Sequence, residues 1–327
     1  MSGEQLIREI GCSGVKASAV GLGTWAIGGW MWGGTDEAQS IAAIQASLEA
    51  GVTLIDTAPA YGLGRSEEIV GKALAGRRDK AVIATKCGLV WHTHKGNHFF
   101  DQDGKPVHRY LGGDSIVHEV EDSLRRLGTD YITHWQDVTT PVEETVAALE
   151  ELQRAGKIRA IGASNVKRSA LEQYIATGSL DAIQERYSMI DREIETDLLP
   201  LSVANGVSTL SYSSLALGLL SGSIGPDRIF SGDDQRKDNP RFSVANRQKA
   251  RDFSDAIRPV AERHDASIAQ TVIAWTLAQP GVTFALCGAR NPAQSLDNAR
   301  AGTLRLSPED LAAIDAALSA KLANMDG

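Results

Sequence analysis

Cysteine is scarce in this sequence. Cys12, Cys87 and Cys287 are odd in number, far apart and in no CxxC spacing. That argues against a disulfide framework or a cysteine zinc site and suits reduced thiols in a cytoplasm. Basic residues are also short, with 33 Lys and Arg against 41 Asp and Glu, so nucleic acid is not an expected partner. No apolar run approaches the roughly 20 residues of a membrane span. The start, MSGEQLIREI, has neither the basic stretch nor the apolar core of a signal peptide. The seven histidines include no HExxH. His92 and His94 sit two apart, but Lys95, Gly96 and Asn97 follow them, and no metal site is expected.

What the chain does have is alternation. Short β-prone runs recur, each followed by a longer segment of helical period. The runs are Val20–Leu22, VTLIDT, AVIATK, DYITH, IRAIGAS, LDAIQ, VSTLSYSSL and VTFALCG. Between them fall helical segments such as TDEAQSIAAIQASLEAG, capped by Thr35 or Asp36, and SEEIVGKALAG, opened by Ser66. Eight strands alternating with helices predict a (β/α)8 TIM barrel with extra C-terminal helices, in one domain spanning residues 1–327. REIGCSGVKAS predicts a small N-terminal hairpin turned at Ser13-Gly14 and plugging the lower end. Residues 87–113 read as a long interruption, and Ser221 to Phe242 as a polar, mobile excursion.

Barrel chemistry sits at the C-terminal ends of the strands. Asp56, Lys86 and His134 fall at the ends of the second, third and fourth runs, and Tyr61 follows in DTAPAYG. Alone, each has a bland alternative: Asp56 and His134 as cap or turn residues, Tyr61 as a rim residue. Lys86 is harder to dismiss, because a buried ammonium needs a partner and Asp56 could supply one. Together they suggest a proton donor, with Lys86 lowering the phenol pKa from about 10 and Asp56 holding the lysine.

DTAPAYG, ATK, HW, IGASN, IQERYS and GARNPAQSLDN occur in that order along the chain, which thereby resembles the aldo-keto reductase superfamily, its bacterial aldehyde- and polyol-reducing branch in particular. The resemblance implies a barrel that binds NADP(H) without a Rossmann domain and interconverts small carbonyls and alcohols. It implies a catalytic tetrad of Asp56, Tyr61, Lys86 and His134, with Tyr61 protonating the carbonyl oxygen. It also implies coenzyme contacts from Gly23, Thr24, Trp25 and Asp56. Ser164, Asn165 and Gln184 are implied for the carboxamide, Tyr212 for stacking on the nicotinamide, and Ser213, Leu215 and Gly218 beyond it. Gly288, Arg290, Gln294 and Asn298 are implied for the adenosine end, where a guanidinium and a helix N-terminus suit a 2′-phosphate.

One departure is visible. Tyr131-Ile132-Thr133 reaches His134 with about four residues fewer than the family pattern, roughly 13 Å of strand. The missing reach predicts either that the preceding helix unwinds through Arg126–Thr129 or that the barrel is locally broken. Trp30, Trp32, Trp91 and Trp135 lie near strand ends, as does Trp25, and predict an aromatic pocket wall for a small uncharged substrate. The Ser221 to Phe242 segment could close over the coenzyme and limit its release. Three other readings stay open. GLGTWA fits a Rossmann fingerprint, but no helix can start in the glycine-rich stretch that follows. Lys86 could instead form a Schiff base in an aldolase, or the chain could sense the coenzyme without turnover. Substrate, direction and oligomeric state are not written in the sequence.

Overall fold

The computed structural model describes residues 4–128, 140–323 and 325. Among them, seven strands form one parallel sheet: Val20–Gly23, Leu54–Asp56, Val82–Ala84, Gly162–Ser164, Ala182–Arg186, Ser208–Tyr212 and Phe284–Gly288. Neighbours in sequence pair with one another, except across the interval from Ala84 to Gly162. The first strand also pairs with the last, placing Gly23 beside Gly288. A parallel sheet curled so that its ends approach is the α/β barrel, and consecutive strand order rules out the Rossmann arrangement. The expected fourth strand, with His134 and Trp135, lies outside the described residues.

Side chains alternate along each strand, and this sorts the core. Leu54, Ala84, Ala182, Leu210, Phe284 and Leu286 fill the barrel interior. Val20, Leu22, Ile55, Ile83, Ala285 and Cys287 face the outer helices. The interior leaves no room at Gly21, where an added Cβ would lie 2.6 Å from Leu286 Cδ2. The same parity aims the residues two positions beyond the interior ones, Asp56, Lys86, Gln184, Tyr212 and Gly288, at the top of the barrel.

At the opposite end, Ile7–Glu9 and Lys16–Ser18 form the expected antiparallel hairpin. Ile10 and Ala17 join the interior cluster from below. Gly11 N donates to Ser208 Oγ (2.8 Å), Ser18 N to Thr53 Oγ1 (2.9 Å), and Arg8 to the Val282 and Thr283 carbonyls (both 2.8 Å). Each of these partners lies at a strand start, so the hairpin seals the end away from the chemistry. Helices Val244–Arg263 and Pro308–Leu322 pack together beside Trp275, whose indole N–H donates to Asp315 (2.8 Å). No helix among the described residues is long and apolar enough to cross a membrane.

Four local expectations change. Helix Arg65–Leu74 starts one residue before Ser66, with left-handed Gly64 as its cap residue. The Ser66 hydroxyl instead bonds Thr24 and Thr57. The interruption at 87–113 holds a three-stranded antiparallel sheet: Leu89–Val90, Asn97–Gln102 and Lys105–Arg109. Asp103 (φ 52°) and Gly104 (φ 73°) form its tight turn, a conformation Asp-Gly adopts readily. Helix Gly113–Leu127 stays wound through Arg126 and ends on left-handed Gly128, so Arg126 and Leu127 are not drawn into a strand, and Thr129 lies outside the described residues. The 221–242 segment is not a free excursion either, because Asp233 and Gln235 tie it to residues 31–33.

Helix Arg65–Leu74 depends on one close approach. A Cβ at Gly71 would lie 2.5 Å from the Arg126 carbonyl oxygen, which as backbone cannot yield. Gly71→Ala is expected to destabilise the fold by about 1–3 kcal/mol, lowering Tm by roughly 1–5 °C in a thermal scan while the far-ultraviolet circular dichroism keeps its shape.

Candidate active site

Asp56 is buried at its strand end and its Oδ1 accepts two hydrogen bonds, from Lys86 Nζ (2.6 Å) and from Gln184 Nε2 (2.7 Å). Lys86 Nζ also donates to the Thr57 carbonyl (2.7 Å). A buried ammonium and carboxylate are thereby paired and hydrogen-bonded, the condition under which such charges are tolerated. The Asp56 carbonyl in turn accepts from Thr24 N and Thr24 Oγ1 (both 2.9 Å). Thr24 is fully buried in this bracing and does not line the cleft.

Tyr61 sits in the loop between Asp56 and Gly64. Its N–H donates to the Ala58 carbonyl and its own carbonyl accepts from Ser66. Gly28 lets the neighbouring loop approach, since a Cβ there would be 2.6 Å from the Tyr61 carbonyl oxygen. The ring stacks on Trp25 at 6.2 Å, and Lys86 Nζ lies 5.3 Å from its centroid. The phenol is pushed well above its usual value near 10, first by burial, then by the Asp56 carboxylate and Tyr212. This reverses the expected direction. Asp56 takes up much of the lysine charge, and burial disfavours a phenolate. The residue is held as a protonated acid.

These groups open into a cleft of about 1300 Å³. Beside Asp56 and Tyr61 it is lined by Gly23, Trp25, Ser164, Asn165, Gln184 and Tyr212. Asn165 has φ 56°; its Nδ2 donates to Ser164 Oγ (3.1 Å) and its Oδ1 accepts from Tyr212 Oη (2.6 Å). Glu185 fixes that turn by accepting from Val166 N (2.8 Å), and burial pushes its carboxyl up to about 8. Further along lie Ser213, Leu215 and Gly218, then Gly288, Arg290, Gln294 and Asn298. All the expected coenzyme residues except Thr24 therefore share one cleft.

Arg290 does not stand free at the start of helix Pro292–Arg300. Its guanidinium donates to the carbonyls of Trp32 (3.0 Å) and Gly34 (2.6 Å), and its backbone N–H to Gln294 Oε1 (2.8 Å). Loop residues 31–33 are held from another side by the 221–242 strap, whose Asp233 accepts from Met31 N and Gly33 N (both 2.9 Å). Arg236 pairs with Asp234 and lies 5.0 Å from the Trp32 ring.

Trp30 and Trp32 line the cleft as expected, and Trp91 does not. Pairing of Leu89–Val90 with His108–Arg109 leaves Trp91 in a separate small cavity beside His92, His118 and Glu119. Phe99, Phe100, Leu89 and Arg109 from the antiparallel sheet line the cleft instead, with Phe100 stacked on Trp30 at 4.9 Å. The Asp-Gly turn between FFDQ and KPVHR was the signal that could have found them. Among the described residues no three His, Cys, Asp or Glu side chains converge as a metal site.

Behind Lys86, Glu67 is fully buried and accepts from Thr85 Oγ1 (2.5 Å) and Arg126 Nε (2.6 Å). Nearby Glu119 accepts from Gly88 N (2.9 Å), and burial pushes its carboxyl from 4.5 up to about 8. A raised pKa means that folding favours the protonated form. Its contribution is complete below about 4.5 and is lost as pH rises through about 8. Glu119→Gln, which cannot ionise, is expected to match the parent Tm near pH 4.5 and to exceed it by a few degrees at pH 9, as scanning fluorimetry across pH would show.

The described architecture has known counterparts. Residues 19–319 match the model of the Aldo/keto reductase family. The chain is 44% identical over 296 residues to the aldo-keto reductase YhdN of Bacillus subtilis (strain 168), covering 88% of this chain and 85% of that protein. It is 42% identical over 311 residues to an NADH-specific methylglyoxal reductase of Escherichia coli (strain K12), covering 92% and 94%. Among solved structures, the glycerol dehydrogenase AKR11B4 from Gluconobacter oxydans superposes with a TM-score of 0.85 at 38% identity, over 98% of this chain and 97% of that one. By sequence match, barrel and cleft together, the chain belongs to the aldo-keto reductase family of oxidoreductases.

Proposed function

We propose that the protein reduces small aldehydes and ketoses to alcohols with NADP(H), and oxidises polyols in reverse. The observation that carries this reading is the buried Lys86–Asp56 pair beside a protonated Tyr61, on a cleft of about 1300 Å³. The relatives named for methylglyoxal and glycerol support small substrates of this kind.

The cleft fits the coenzyme in shape and donors. Asn165, Gln184 and Tyr212 flank the barrel top, and Arg290 has five N–H donors, of which two are engaged by loop carbonyls. When bound, the coenzyme supplies the hydride that reaches the carbonyl carbon. Tyr61 gives its phenolic proton to the carbonyl oxygen as negative charge develops there. Lys86 stabilises the phenolate left behind, and Asp56 and the Thr57 carbonyl keep the ammonium in place. His134, outside the described residues, is assigned to orient the carbonyl by the family pattern. Coenzyme choice rests on Arg290, which favours NADP(H). The relatives divide on this point: one is NADH-specific, and a Klebsiella pneumoniae aldo-keto reductase at 29% identity is solved with NADP.

The Schiff-base reading is disfavoured because Lys86 Nζ donates two short hydrogen bonds, which hold it as an ammonium when the reaction needs a free amine lone pair. The decisive experiment follows NADPH and NADH consumption with methylglyoxal and glyceraldehyde. Tyr61→Phe is expected to cut kcat by about 10²- to 10⁴-fold while NADPH binding, read by fluorescence, persists. Coenzyme binding by the parent protein without turnover would favour the sensing role instead. Asp233→Ala, which removes the two carboxylate bonds to Met31 N and Gly33 N and leaves that of Gln235 N to the Met31 carbonyl, is expected to speed coenzyme release several-fold in stopped flow. An unchanged release rate would take the strap out of coenzyme retention.

A further inference from the structure

One cation of the cleft has no part in the reading above. Arg109 ends the strand Lys105–Arg109 and lines the cleft beside Leu89, Phe99 and Phe100. Its guanidinium carbon lies over the Phe99 ring, 3.7 Å from the centroid, a cation–π contact that anchors the group. Other cations here are committed: Lys86 to Asp56, Arg236 to Asp234, and Arg290 to the Trp32 and Gly34 carbonyls. Arg228 belongs to the strap. Among the described residues no side chain or carbonyl accepts a hydrogen bond from the Arg109 guanidinium, and Asp101, on the adjacent strand, is turned to His98 at 3.3 Å.

We propose that Arg109 recognises an anionic group on the carbonyl substrate, a carboxylate or a phosphate ester. The proposal rests on the reductase reading and narrows it, against the uncharged substrate expected from the tryptophans alone. The contact with the Phe99 ring engages the guanidinium without using its N–H donors, which can fork a carboxylate or phosphate. The stacked Trp30 and Phe100 form an apolar wall alongside, which strengthens a charge-assisted bond by excluding water. An aldehyde bearing such a group would then be held at two points, its carbonyl toward Tyr61 and its anion on Arg109.

The test compares kcat/KM, with NADPH, for 4-oxobutanoate against butanal and for glyceraldehyde 3-phosphate against glyceraldehyde. The favoured pair identifies the carboxylate or the phosphate as the recognised group. We expect an anionic substrate to be preferred at least about 10-fold. Arg109→Met is expected to reduce that preference about 10- to 100-fold, mainly through KM, and Arg109→Lys to restore part of it. Equal use of charged and neutral partners, or a preference that survives Arg109→Met, overturns the proposal. Should Arg109→Met not fold, butyrate is compared with butyramide as an inhibitor of butanal reduction by the parent protein. Stronger, salt-sensitive inhibition by butyrate supports the site, and equal inhibition removes it. If no carbonyl is reduced, the reductase reading alone falls. The anion site is then judged by tryptophan quenching of the NADPH complex with 4-oxobutanoate against butanal, parent against Arg109→Met.

Discussion

Everything at the top of this barrel depends on a single buried carboxylate oxygen. Asp56 Oδ1 takes a proton donor from Lys86 on one side and from Gln184 on the other, so the ends of three strands are joined through one atom. The arrangement resolves two problems together. The lysine charge is neutralised where water is scarce, and the glutamine amide is fixed in orientation. Tyr61 then finds a cation near its ring that Asp56 has already claimed, and the phenol keeps its proton. Acid strength is thus set first by burial of the phenol and then by the neighbouring carboxylate, and not by the proximity of the lysine.

A second centre of organisation is the short loop around Trp30 to Gly34. Arg290 grips it from the start of helix Pro292–Arg300, the strap grips it through Asp233, and Trp30 stacks on Phe100 of the antiparallel sheet. Three chain segments far apart in sequence therefore meet on a few residues. Two parts of the cleft wall therefore share this loop, joined through hydrogen bonds and packed rings.

Much of this was legible in the residues. Apolar runs of strand length, alternating with helical segments, placed all seven described strands, and parity along them placed Asp56, Lys86 and Gln184 at one end. What escaped was decided by contacts between distant segments. Ser66 resembles a helix cap locally, yet Thr24 and Thr57 claim its hydroxyl. Trp91 and Phe100 are both aromatic residues of one loop, and only the pairing of Leu89–Val90 with His108–Arg109 decides which faces the cleft. The sign of the Tyr61 shift is not legible in the motif, because the lysine charge is visible there and burial is not. Burial of Glu119 and Glu185 has no local signature either, since charged residues on a helix and at a strand end ordinarily face water.

The pairing of Val20–Gly23 with Phe284–Gly288 bears on how the molecule comes into being. The two strands that close the sheet are separated by most of the chain, so this contact has a very long loop to close. During synthesis the first six described strands emerge with the edges of Val20–Gly23 and Ser208–Tyr212 still unpaired, and an open edge invites pairing with other chains. Gly23 and Gly288, adjacent in the cleft, come together only at that last step. The complete cleft is therefore absent from every nascent chain that stops short of this strand.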